Sequence, residues 1–170
     1  IKPVNTMRFF SIAGIKVYVM CCATVLLMAG CTNLPYFEEF VSKEKESWNM
    51  NDPVGFQVQI GDAEAAYDLI FTFRNTTDYS YSNLYVFLTT IHPDQTARRD
   101  TLEFLLADRY GRWLGKGMGK IRESSFLVRQ GFYFPDTGNF VFILEQAMRD
   151  QTLQGIADVG IRIEKSETMK

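Results

Sequence analysis

The stretch VGFQVQI, residues 54–60, alternates apolar and polar side chains and runs into a turn signal, Gly61-Asp62. The stretch YDLIFTF, residues 67–73, repeats the alternation and runs into a second turn signal, NTTD at residues 75–78. Successive side chains of a strand point to opposite faces of a sheet, so each stretch predicts a strand with one buried face. Two such strands, each closed by a turn, indicate a β-rich fold.

Further apolar stretches recur between turn signals along the rest of the chain, at residues 84–91, 102–106, 126–128, 140–144 and 159–163. Residues 84–91 are apolar on both faces and predict a central strand covered on both sides. Residues 145–156 mix helix formers with a glycine and predict either a short helical turn or a crossover. About seven strands in roughly 110 residues predict an all-β fold, a single antiparallel β-sandwich over residues 54–165 with a tail at 166–170.

The amino-terminal segment has the organisation of an export signal. Arg8 and Lys16 precede an apolar run at residues 17–28, which ends in a small pair, Ala29-Gly30, before Cys31. This pattern predicts a signal peptide over residues 1–30, with residues 1–6 upstream of the true start. The run is shorter than the roughly 20 residues that a membrane span needs. An ordinary secretory leader and a single spanning helix are the alternatives.

Residues 27–31, LMAGC, resemble the lipobox of bacterial lipoproteins, in which the cysteine receives diacylglycerol and begins the mature chain. Several acyl chains on Cys31 would hold the protein stably on a membrane, because each buried methylene contributes about 0.8 kcal/mol. Thr32 follows the cysteine, where some bacteria use Asp to retain lipoproteins in the inner membrane. We therefore expect lipid attachment at Cys31, on the outer membrane and facing the periplasm.

Residues 31–53 form the predicted lipidated cysteine and tether. The segment after Cys31 is polar, mixed in charge and broken by Pro35 and Pro53, and it shows no helical stripe. Its aromatic residues Phe37, Phe40 and Trp48 either dock the far end of the tether on the domain or lie there by chance.

Charge and cysteine content narrow the function classes. Removing the leader takes away three of the 18 basic residues and none of the 20 acids, so the mature chain carries a net charge of −5. This charge argues against nucleic acid or anionic lipid as a general partner. All three cysteines lie in the first 31 residues and His92 is the single histidine, so no metal site and no cofactor are predicted in the domain.

Nucleotide binding and catalysis have little support in the residues. The glycine-rich stretch GKGMGK, residues 115–120, departs from a phosphate-binding loop because Ile121 follows Lys120 where Ser or Thr is required. It predicts a flexible connection. No G-x-S-x-G elbow accompanies the single histidine. Asp100, Glu103 and Asp108 are the acids that a hydrolase, one of the rival interpretations, would use.

A basic stretch stands out in the acidic chain, because residues 98–122 carry a net charge of +4 around a tryptophan. Trp and Arg are the residues that most often dominate interfaces. The stretch predicts a partner-binding loop formed by Arg109, Arg112, Trp113, Lys116 and Lys120. The alternative places Trp113 in the core and leaves the cations solvated.

Four longer strings resemble the gliding-motility lipoprotein family of GldH type. They are SYSNLYVFLTT at residues 80–90, RDTLEFLLAD at 99–108, GRWLGKG at 111–117 and DVGIRIEK at 158–165. The resemblance runs from Cys31 to about Lys165 and implies an envelope lipoprotein associated with gliding motility and the secretion machinery linked to it. It implies lipid on Cys31, no established enzymatic activity and no catalytic residues.

The sequence therefore predicts a non-enzymatic interaction or scaffold component, attached to the membrane through Cys31, with other envelope proteins as partners. Neither nucleic acid nor nucleotide is a predicted partner. A glycan- or lipid-binding module is the second interpretation, since β-sandwiches often carry such sites. Its candidate stacking residues are Tyr79, Tyr81, Phe132 and Tyr133.

Overall fold

A computed structural model describes residues 34–166 of the chain. The predicted leader, Cys31 and residues 167–170 lie outside the described residues. Residues from Pro35 onwards group into one unit. Within residues 34–166, no helix is long and apolar enough to cross a membrane.

Strands dominate the described residues, because alternating apolar and polar side chains favour a half-buried pleated surface. The only helical element among them is a 3-10 turn at Glu44–Glu46. The strands are β1 (Phe37–Ser42), β2 (Ser47–Asn49), β3 (Val54–Ile60), β4 (Ala66–Thr76), β5 (Asn83–Ile91), β6 (Ala97–Leu105), β7 (Ile121–Tyr133), β8 (Gly138–Gln146), β9 (Thr152–Gln154) and β10 (Ile156–Lys165).

The strands form two four-stranded antiparallel sheets and a small third one. The first sheet has the order β1-β10-β4-β7, the second has the order β3-β8-β5-β6, and β2 pairs with β9. The two large sheets pack face to face, with the rings of Phe73 on β4 and Phe104 on β6 only 4.8 Å apart between centroids. The predicted all-β sandwich is confirmed, with ten strands in place of about seven.

The predicted tether is too long, because most of it belongs to the domain. β1 pairs with β10 along its whole length, from Phe37 opposite Ile163 to Ser42 opposite Asp158. Trp48 on β2 is fully buried and its Nε1 donates a hydrogen bond to the Asp52 carbonyl at 2.9 Å. The docking of the aromatic residues is therefore the correct alternative. Only residues 32–36 separate Cys31 from the first strand.

Two further local predictions can be compared with the structure. Residues 145–156 form the crossover and not the helical turn, since they lead from the end of β8 in the second sheet through a bend and β9 to β10 in the first. β5 does lie inside its sheet, between β8 and β6. It is buried on one face only, since Leu84, Val86 and Leu88 are at most 1% exposed while Tyr85 on the other face is 37% exposed.

The core lies between the inner faces of the two large sheets. In β3, every second residue is buried, and the exposed ones between them face solvent. β4 and β10 supply the opposite wall, which includes Tyr67, Phe71 and Ile161. Burying one such side chain contributes about 1.5–3 kcal/mol, so the aromatic inner faces account for the close packing of the sheets.

The first sheet has two ends that matter for function. At the entry end, β1 begins with Phe37 opposite Ile163, and Ile163 lies opposite Leu69 of β4. At the other end, β7 begins with Ile121 opposite Thr76, the last residue of β4. We call this the hairpin end, because the β6–β7 connection enters β7 there. Seven residue steps separate Leu69 from Thr76, a distance of roughly 24 Å.

Candidate functional site

The predicted partner-binding loop is the connection between β6 and β7, residues 106–120, which we call the basic hairpin. An antiparallel bridge between Ala107 and Trp113 joins its outgoing and returning arms. The Leu114 amide donates to the Leu106 carbonyl at 2.9 Å. A second bridge joins Lys116 to Glu123 on β7. Backbone hydrogen bonds at both places therefore hold the arms of the basic hairpin to each other and to β7.

Asp108 holds the turn of the basic hairpin. Its Oδ1 accepts hydrogen bonds from the backbone amides of Tyr110 and Arg112, both at 2.9 Å, and its Oδ2 accepts one from Arg112 Nε at 2.7 Å. Gly111 takes a φ of 76°, a conformation that glycine adopts without strain. These hydrogen bonds, that from the Arg112 amide first, hold the pKa of the Asp108 carboxyl below its usual value.

Two arginines and a tyrosine form the tip of the basic hairpin. The Tyr110 ring is 67% exposed. The guanidinium carbons of Arg109 and Arg112 lie 4.6 and 5.4 Å from the centroid of that ring, within the range of cation–π attraction. Arg109 also donates a hydrogen bond to the Tyr110 hydroxyl. The tip therefore presents an exposed aromatic ring beside two guanidiniums, of which that of Arg112 is paired with Asp108 at 2.7 Å.

The other three predicted residues have different surroundings. Trp113 is half-buried and packs against the core, which brings it closer to the core alternative than to an exposed hot spot. Lys116 is exposed. Lys120 Nζ forms an ion pair with Glu46 Oε1 at 2.6 Å, which neutralises its charge. The structure thus groups Arg109 with Arg112 around Tyr110 and separates Lys120 from them.

A family model described as GldH lipoprotein matches residues 35–163 of this chain, which is nearly the whole described domain. The chain belongs to the GldH lipoprotein family. The match spans the four strings that carry the resemblance, up to the last residues of the fourth. Cys31, the predicted lipid attachment site, precedes the matched residues.

Two GldH relatives support the assignment over most of their length. A gliding motility lipoprotein GldH homolog from Christiangramia forsetii is 34% identical over 151 residues, which cover 85% of this chain and 92% of the relative. Gliding motility lipoprotein GldH from Flavobacterium johnsoniae is 28% identical over 149 residues, covering 84% of this chain and 92% of that protein. Among solved structures, a Yersinia pseudotuberculosis-derived mitogen matches with 5% identity, 81% coverage of this chain, 91% coverage of its own and a TM-score of 0.35.

The acids proposed for a hydrolase do not converge in this GldH domain. Asp100 lies near Arg98 and Arg129, at 3.1 and 3.5 Å. Glu103, on the opposite face of β6, accepts a hydrogen bond from Asn83 Nδ2 at 2.7 Å. Asp108 is committed to the turn of the basic hairpin. Among residues 34–166, no group of three or more His, Cys, Asp or Glu side chains is placed to hold a metal ion.

The four aromatic residues proposed for glycan stacking do not form one exposed platform. Tyr79 is buried, which raises the pKa of its hydroxyl, and Tyr81 donates a hydrogen bond to Asp150 at 2.6 Å. Phe132 packs against Phe134 with ring centroids 4.8 Å apart, and only Tyr133 is largely exposed. The glycan-binding interpretation of this GldH chain loses the observation that motivated it.

Proposed function

We propose that this chain is a non-enzymatic, lipid-anchored interaction component of the cell envelope that supports gliding motility and the secretion machinery linked to it. The observation that supports this proposal is the exposed group of Arg109, Tyr110 and Arg112 at the hairpin end of the domain. The names of the two relatives supply the association with gliding motility. In this proposal the basic hairpin binds another envelope protein.

The short linker gives the proposal a geometry. With lipid on Cys31, residues 32–36 would form the link to β1. The six residue steps from Cys31 to Phe37 span at most about 20 Å when fully extended. The entry end of the domain would then stay close to the membrane surface. The basic hairpin would point away from that surface, because it lies at the other end of β4. We propose that the membrane is the outer one and that the hairpin faces the periplasm.

Charge supports a protein partner for the basic hairpin. The mature chain is acidic overall, so its tip is a local exception with two arginines beside one aromatic ring. Arginine pairs with carboxylates through several donors and also stacks on aromatic groups, so it favours recognition of acidic protein surfaces. Such a contact would raise the rate of association and fix its orientation.

The test expresses this chain in a gliding bacterium in place of that bacterium's own GldH protein. Both tip arginines are replaced, Arg109→Gln with Arg112→Gln. Colony spreading, secretion and in vivo crosslinks to envelope proteins are then measured. Glutamine keeps the backbone amide that Asp108 binds, so the turn is retained. A matched variant, Arg149→Gln with Lys165→Gln, removes the same charge from exposed positions outside the basic hairpin. We expect the hairpin variant alone to lose crosslinks and spreading. Unchanged crosslinks and spreading in that variant would contradict the proposal.

A further inference from the structure

Exposed apolar side chains concentrate around the basic hairpin. Ten large apolar side chains are exposed among the described residues, and five of them fall between residues 105 and 127: Leu105, Tyr110, Leu114, Met118 and Leu127. Met118 is 93% exposed. Soluble domains seldom leave such side chains clustered in water without a binding role.

Two of these side chains line a groove of about 420 Å³ at the base of the basic hairpin. Leu105 from the end of β6 and Leu114 from the hairpin lie along it, and Phe126 of β7 lines it beside them. Phe126 is anchored from below by Phe104, whose ring centroid lies 4.9 Å away. The groove has the volume of an ordinary ligand site, for which the usual range is about 300–1,000 Å³.

Gly115 shapes one side of the groove. A Cβ atom at this position would lie 2.5 Å from Ser124 Oγ and 2.8 Å from the Glu123 carbonyl oxygen. Only glycine lets the second arm of the hairpin approach β7 this closely, and the bridge between Lys116 and Glu123 depends on that approach. The glycine-rich stretch therefore builds a wall of the groove.

One cation lines the groove. It is Lys116, and Glu123 is the one acid among the lining residues. Glu123 is already paired, since its Oε2 accepts a hydrogen bond from Arg74 Nε at 2.7 Å. An occupant therefore meets apolar side chains in the groove and the positive charge of Lys116 beside them.

We propose that this groove binds an extended segment of a partner protein in which apolar and acidic side chains alternate. The inference rests on the proposed function and names the chemistry of its partner. In an extended segment, alternate side chains point to opposite sides. The apolar ones enter the groove beside Leu105, Leu114 and Phe126, and the acidic ones stay at its open side, within reach of the long, exposed side chain of Lys116.

The test measures fluorescence anisotropy with three labelled hexapeptides, in which Glu alternates with Leu, Lys with Leu, or Glu with Ser. The protein is the lipidated full chain in phosphatidylcholine nanodiscs, so the bilayer is neutral. We expect binding of the Glu-Leu peptide only, with an affinity that falls as salt is raised. Equal binding of the Lys-Leu peptide would overturn the acidic requirement, and equal binding of the Glu-Ser peptide would overturn the apolar one.

Two variants test whether the Glu-Leu peptide binds in the groove. Leu105→Ser with Leu114→Ser removes two groove walls and should weaken Glu-Leu peptide binding by at least about tenfold. Leu127→Ser is the matched control, because Leu127 is as exposed as the two groove leucines and does not line the groove. Equal losses in both variants, or self-association of the protein that the groove variant abolishes, would overturn the proposal.

The two proposals fail differently. If Arg109→Gln with Arg112→Gln loses its crosslinks while the groove variant binds the Glu-Leu peptide normally, the groove is overturned and the proposed function stands. If the arginine variant keeps its crosslinks and spreading, the proposed function itself is overturned.

Discussion

At the scale of single residues, Asp108 decides the shape of the candidate site. Its carboxylate accepts hydrogen bonds from two backbone amides and one guanidinium, and those bonds hold the turn that brings Arg109 and Arg112 close to the Tyr110 ring. The same carboxylate was a candidate acid for hydrolysis in the sequence. Its lowered pKa suits a permanent acceptor, because a general acid needs a raised one.

The pH dependence of the hairpin follows from that shift. A carboxyl with a lowered pKa stabilises the folded turn at neutral pH, and the contribution is lost as the pH falls through the lowered pKa. We expect the protection factors of the Tyr110 and Arg112 amides, measured by NMR against the intrinsic exchange rate at each pH, to fall as the pH is lowered through that pKa.

Asp108→Asn is the control for that measurement. It should show low protection factors at Tyr110 and Arg112 already at neutral pH, with little further change in acid. Protection factors that are high and independent of pH in both proteins would show that the carboxylate does not hold the turn.

Sequence alone identified the charged residues of the site and missed their arrangement. Arg109 and Arg112 were found because the local charge is visible in the sequence. Tyr110 was missed because its exposure depends on the turn that Asp108 makes. Lys120 was overvalued because its partner Glu46 lies 74 residues away, and no local pattern reports such a contact.

At the scale of elements, the strands with strict alternation were predictable and the edge strands were not. β3 reads as a strand because one face is entirely buried and the other entirely exposed. β1 has a mixed burial pattern, since it pairs on one side only and covers the rim of the core. β2 and β9 are three residues long, which is too short for a periodic signal.

Trp48 tests whether β2 belongs to the domain. It is fully buried and bonded to the Asp52 carbonyl, so Trp48→Ala should lower the free energy of unfolding by about 3–5 kcal/mol. Urea denaturation followed by circular dichroism measures the change. Met50→Ala, two residues on and 38% exposed, should change it little. A tether in this region would make both substitutions equally harmless.

At the scale of the whole molecule, the proposed attachment site, Cys31, lies outside the described residues. Cleavage before Cys31 would leave a chain of charge −5 with no general attraction to anionic lipid, so the acyl chains on Cys31 would have to supply the membrane affinity. Replacing that cysteine would then remove the anchor without touching the core.

We expect Cys31→Ser to abolish incorporation of labelled palmitate and to release the protein from the membrane fraction. Cys22→Ser, inside the predicted leader, is the matched control and should leave labelling intact. Labelling that persists in the Cys31→Ser protein would move the attachment site elsewhere.

The five-residue link between Cys31 and β1 also limits where a partner can be met. With lipid on Cys31, the reach of the link, about 20 Å, and the length of the eleven-residue strand β4, about 36 Å, would together keep the hairpin end of the domain within roughly 60 Å of the leaflet that holds the lipid. Within that layer the protein would search in two dimensions, as a lipid diffuses. Its partner would then have to enter the same thin layer, as another resident of that membrane or as a machine that extends into it.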